Sequence, residues 1–98
     1  MRKTKDSEKM KYYKKDGSEI EFTTIMEDSQ KASVFRHFKG ESNYRIITIA
    51  KHSETLEDMV IYTHDNTIWA RPIEMFFGPV DKSKYPDVKQ EMRFQKIK

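Results

Sequence analysis

His37, His52 and His64 are the only imidazoles in the chain, and one of them stands in the run His52-Ser53-Glu54. A second histidine brought to His52-x-Glu54 would supply imidazole and carboxylate, a ligand set suited to divalent ions. The same run sets an imidazole, a hydroxyl and an acid side by side, the residue types of a nucleophilic triad. A triad is assembled by the fold and not by adjacency, however, and no Gly-x-Ser-x-Gly elbow is present. With only three glycines, Gly17, Gly40 and Gly78, neither phosphate-cradling glycine fingerprint can be written. The chain has no cysteine, which excludes disulfides, thiolate zinc sites and the zinc-deaminase pattern, whose His-x-Glu requires a later Cys-x-x-Cys. The scattered histidines are therefore expected at the surface or in hydrogen bonds, with no metal or cofactor. Ser53 and Thr55 are expected to order their loop by bonding nearby backbone groups.

A second constellation is Tyr62, Trp69 and Arg71. Aromatic rings beside a guanidinium stack on a base, a planar ligand or a partner's side chain. A small domain also needs its largest rings inside, so core packing is the expected use of Tyr62 and Trp69, with recognition the competing one. Arg71 is followed by Pro72, which biases it toward an extended conformation at a strand end. Glu54, in the loop after the strand expected at Tyr44–Ala50, is the competing partner for that guanidinium.

The elements that must position these groups are short strands. Ile20, Phe22 and Thr24 alternate with polar residues, although Thr24-x-x-Glu27 also has the form of a helix capping box. A strand is expected there, followed by a polar connection to Ser33. Strands are further expected over Val34–Phe38, Tyr44–Ala50, Met59–Thr63 and Thr67–Arg71, with Val88–Ile97 supplying a closing strand. If Asp65-Asn66 form a hairpin turn, Tyr62 faces Trp69, Ile61 faces Ala70 and Val60 faces Arg71. Pro72 at a first helical position and Gly78-Pro79 as a stop predict one short helical turn between them. Strands at this spacing predict a mainly β fold, a small barrel in preference to a parallel sheet.

Ninety-eight residues make one domain. Residues 1–19 hold seven Lys/Arg and four Asp/Glu, so the whole net charge of +3 sits in the opening segment on a neutral body. Residues 1–18 are expected as a basic, mobile leader, 19–33 as an extension with one strand, and 34–98 as the barrel domain. Residues 1–13 are expected to be dispensable for folding. A charged start without an apolar run predicts no secretory signal, no membrane span and a cytoplasmic location.

The motifs His37-Phe-Lys-Gly40, His52-Ser-Glu-Thr55 and Trp69-Ala-Arg-Pro72 with Met75-Phe76, together with Tyr44 and Tyr62, resemble the small bacterial domain-of-unknown-function family 1653. The resemblance runs from about Val34 to Ile97 and implies an SH3-like barrel. The chain departs from the family pattern in a shorter segment between Tyr62 and Trp69, and in Ala70 where Val is more usual. The family brings no established activity.

The leading expectation for function is a non-enzymatic binding module for a protein, a peptide or a small anionic ligand. SH3-like barrels commonly bind through aromatic surfaces, but that is analogy at the level of fold. The alternatives are a small enzyme using His37, His52 and Glu54, and a nucleic-acid accessory whose basic leader contacts phosphates. A binding site is expected around Arg71, with His37, His52 and Glu54 as polar neighbours and Tyr62 or Trp69 as the apolar wall.

Overall fold

A computed structural model describes residues 10–98. Its seven strands are β1 (Met10–Tyr13), β2 (Glu19–Phe22), β3 (Phe35–His37), β4 (Arg45–Lys51), β5 (Asp58–His64), β6 (Thr67–Pro72) and β7 (Phe94–Lys96), with one helical turn, α1 (Ile73–Phe76). The fold is mainly β, and the helical turn lies where Pro72 and Gly78 place it. Pro72 precedes the turn, and the Gly78 amide donates to the Met75 carbonyl at 3.2 Å. A Cβ on Gly78 would lie 2.9 Å from the Glu74 carbonyl oxygen, so the chain closes tightly there only with glycine.

Met10–Tyr13, within the segment expected as a basic leader, form a strand; residues 1–9 lie outside the described residues. β1 pairs antiparallel with β2, Tyr12 opposite Ile20. The turn between them uses Gly17 at φ 91°, with Asp16 accepting hydrogen bonds from the Ser18 amide and hydroxyl. What holds β1 down is an aromatic contact absent from any local pattern. The Tyr12 ring stacks on Phe77 at 5.0 Å, and Phe77 meets Phe22 at 5.3 Å. Residues 19–33, expected as an extension with one strand, contribute the buried Phe22, Thr24 and Ser33. The Ile25 and Met26 amides donate to the carbonyls of Ile46 and Ile47 in β4.

Both sequence signals near Thr24 are used in succession. The strand ends at Phe22, and the capping box then closes a turn: the Glu27 amide donates to Thr24 Oγ1 at 3.2 Å and the Thr24 amide to Glu27 Oε1 at 3.0 Å. No helix follows, because no apolar face of helical period succeeds it.

The remaining strands form two sheets, β3–β7 and β4–β5–β6, all antiparallel. One isolated bridge, Phe35 to Tyr44, links them, and a bulge between Ile46 and Thr48 bends β4. Hydrogen bonding does not join β6 to β7 among the described residues, so the strands make three small sheets and no closed barrel. Side chains fill the gap between those two strands. Phe76 stacks on Phe94 at 4.2 Å, and Phe35 and Tyr62 meet Phe76 edge-on. No helix among the described residues is long and apolar enough to cross a membrane.

Candidate functional site

The β5–β6 hairpin places the arginine. Asp65 and Asn66 take φ values of 55° and 63°, the left-handed pair of a type I′ turn, whose twist suits a two-residue connection. The register that follows sets Tyr62 opposite Trp69 and Val60 opposite Arg71. Alternation puts all four, with His64 and Thr67, on one face. Yet that face is not uniformly buried: Tyr62 is 4% exposed and Trp69 is 50% exposed. β5 lies in mid-sheet under Phe76 and Phe94, whereas β6 is the sheet edge. Trp69 is therefore not core, and its indole borders an open cleft.

That cleft, of about 330 Å³, is lined by Trp69, Tyr62, Tyr44, His64, His37 and Arg71, with Phe94, Thr67 and the acids Glu41 and Asp65. Arg71 Nε donates a long hydrogen bond, 3.4 Å, to the Tyr62 hydroxyl, and its guanidinium carbon sits 5.8 Å from the centre of the Phe94 ring. His37, from β3, meets that ring edge-on at 5.0 Å. His37 Nδ1 accepts the Lys39 amide, so a neutral ring carries its proton on Nε2. Burial pushes the His37 pKa below the usual 6.5, and the nearby charges of Lys39 and Arg71 push it the same way. Arg71 thus adjoins an imidazole that is uncharged at neutral pH.

Tyr44, His64 and Glu41 also line the cleft. The Tyr44 and His64 rings stack at 3.8 Å and 6°. The Tyr44 hydroxyl donates to Glu41 Oε1 at 3.1 Å, and His64 Nε2 lies 3.8 Å from the same oxygen. Burial first, and then the Glu41 carboxylate, push the Tyr44 pKa up to about 12. His64 Nδ1 is buried with no hydrogen-bond partner among the described residues.

Arg71 and His37 also border a second cleft of about 250 Å³, with Lys39, Lys84, Arg93 and Asp81 around it. Among the described residues, none of Arg71, Lys39, Lys84 and Arg93 has a carboxylate within ion-pair distance. Asp81 is occupied by the Ser83 amide and hydroxyl, which hold its carboxyl below the usual range. The guanidinium of Arg71 thus stands between an aromatic hollow and a cationic one.

The expected site is gathered only in part. His37, Tyr62, Trp69 and Arg71 meet at the first cleft; His52 and Glu54 do not. They lie in the β4–β5 loop, where the Glu54 and Thr55 amides both donate to His52 Nδ1. His52 therefore orders its loop, and Glu54 is not the partner of Arg71. No group of three or more His, Asp or Glu side chains among the described residues could hold a metal ion. Sequence reasoning missed His64, Glu41, Tyr44 and Phe94 as site residues. Carrying the alternation of Val60 and Tyr62 one step further would have found His64. Glu41 and Phe94 arrive from β3–β4 and β7, and no local signal announces them.

Searches among curated proteins and among solved structures found no match. The family model described as protein of unknown function (DUF1653) matches residues 33–96, a stretch that holds β3 to β7 and α1. The chain that carries this cleft belongs to the DUF1653 family.

Proposed function

We propose that this chain is a non-enzymatic binding module whose ligand presents an anionic or carbonyl group to Arg71. The observation that carries the reading is the state of that guanidinium. It is partly buried and offers five donors, yet among the described residues its one side-chain hydrogen bond is the 3.4 Å contact to Tyr62. A charge held so loosely in a partly desolvated position is stabilised by an incoming acceptor. Trp69, half exposed, supplies flat apolar surface beside it. The enzymatic alternative loses its support, because His37, His52 and Glu54 do not meet. The nucleic-acid alternative draws on Lys39, Lys84 and Arg93, which suit phosphate. The proposal includes an SH3-like architecture, left open between β6 and β7, and a bacterial cytoplasmic setting, with which a chain free of cysteine accords.

The test is a titration of isotope-labelled protein with acetate, N-acetylaspartate amide, inorganic phosphate and a single-stranded oligonucleotide, followed by NMR. The carboxylates are expected to shift the side-chain N–H signals of Arg71 and Trp69. Arg71→Gln should abolish those shifts while leaving the melting temperature nearly unchanged. Equal binding by Arg71→Gln would refute the reading. Steeply salt-dependent binding of the oligonucleotide alone would replace it with the nucleic-acid one.

A further inference from the structure

We infer that the occupant of the Arg71 cleft is an extended peptide that adds a strand to the free edge of β6 and sets an acidic side chain against Arg71. The inference rests on the proposed binding role of Arg71 and adds the class of partner. β6 is the last strand of its sheet. In a two-residue hairpin the pair next to the turn, His64 and Thr67, exchanges both backbone hydrogen bonds, and so does every second pair after it. Thr67, Trp69 and Arg71 therefore bond inward to β5. The N–H and C=O groups of Ile68 and Ala70 point outward, and no backbone hydrogen bond outside the hairpin engages them among the described residues.

Natural sheet edges are protected by lysine, inward charge, bulges or a covering element. Arg71 and Pro72 guard the end of this edge, whereas its open part, Thr67 to Ala70, has none of these and is exposed throughout, with Ile68 at 67%. Strand addition uses main-chain hydrogen bonds for affinity and pockets for alternate side chains for selectivity. Side chains of an added strand lying beside Trp69 and Arg71 fall on the cleft side, because those two residues share that face. An apolar residue then covers Trp69, and an acidic one reaches the guanidinium. Charge complementarity favours this occupant over a second copy of the chain paired about Ala70. Two β6 strands paired antiparallel about Ala70 would make the Arg71 side chains of the two copies diagonal neighbours, about 7–8 Å apart, with no acid between them.

The experiment selects binders from a random linear octapeptide library and maps the best peptide on labelled protein by NMR, with N-acetylaspartate amide as the small-anion control. The expected peptide carries Asp or Glu and slows amide exchange at Ile68 and Ala70. Its affinity should fall about tenfold or more on methylating its pairing backbone nitrogens, and similarly in Arg71→Gln. Ala70→Pro removes an outward N–H without touching the β5 ladder, so it should weaken the peptide and leave the small anion unaffected. Should that variant not fold, the methylated peptide makes the same distinction. Binding of the small anion with no selected peptide protecting Ile68 and Ala70 overturns strand addition and leaves the Arg71 site standing. Failure of both overturns both. Protection of Ile68 and Ala70 that grows with protein concentration alone makes a second copy the occupant and overturns the peptide.

Discussion

Replacing Tyr12 by alanine tests the packing of the N-terminal hairpin, where the structure departs most from the charge-rich look of its sequence. Tyr12 is partly buried and its ring lies on Phe77 at 5.0 Å, 20° from parallel. If about half of a ring's ~200 Å² is covered, its loss removes roughly 2–2.5 kcal/mol of apolar burial. The aromatic contact adds about 0.5–1.5 kcal/mol. Phe77 and Phe22, now 3% and 2% exposed, would also meet water where Tyr12 was. A total of about 2.5–4 kcal/mol follows, a large part of the ~5–15 kcal/mol that holds an ordinary domain together. For a chain of this size it lowers the melting temperature by on the order of 10–30 °C. Urea titration followed by far-UV circular dichroism measures the change, with Tyr13→Ala as the control, since Tyr13 is 62% exposed. A loss below about 0.5 kcal/mol in Tyr12→Ala, equal to that of the control, would refute the packing and restore the dispensable leader.

Three further outcomes are expected. Tyr44 holds its proton to about 12 against 10.0 for a free tyrosine, so its contribution is full below pH 10.0 and lost as the pH rises through about 12. Urea titrations across that window should show a smaller alkaline loss in Tyr44→Phe than in the wild type. The His37 pKa lies below 6.5, so its contribution is full above pH 6.5 and lost as the pH falls through the depressed value. His37→Gln should flatten that acid limb, and an unchanged slope would assign it to other groups. Glu54→Gln should change stability by no more than about 0.5 kcal/mol and leave the Arg71 side-chain signals in place. A larger effect would mean that Glu54 has a partner after all.

The local part of this fold was readable in the residues themselves. Asp65-Asn66 tolerate the left-handed conformations of a tight turn, and period-2 alternation then determines every cross-strand pair from His64–Thr67 to Val60–Arg71. Pro72 and Gly78 bound one helical turn for equally local reasons, a fixed φ at one end and a carbonyl too close for a Cβ at the other. Even the capping box of Thr24 and Glu27 forms as its spacing dictates. Each of these depends on atoms within a few residues of one another.

Three matters were decided only by tertiary structure. Tyr62 and Trp69 are cross-strand neighbours on one face, yet one is core and the other lines a cleft, because burial depends on what packs above each strand and not on alternation along it. Met10–Tyr13 is a strand because Phe77, more than sixty residues away, offers a ring to Tyr12, which charge counting in the first nineteen residues does not register. His52 and Glu54 share a motif but not the site, whereas Glu41, His64 and Phe94 share no motif and meet around Arg71. Spacing along the chain determines which face a side chain takes. Which faces converge is determined by the packing of Phe76, Phe94 and Tyr62, contacts between elements far apart in sequence.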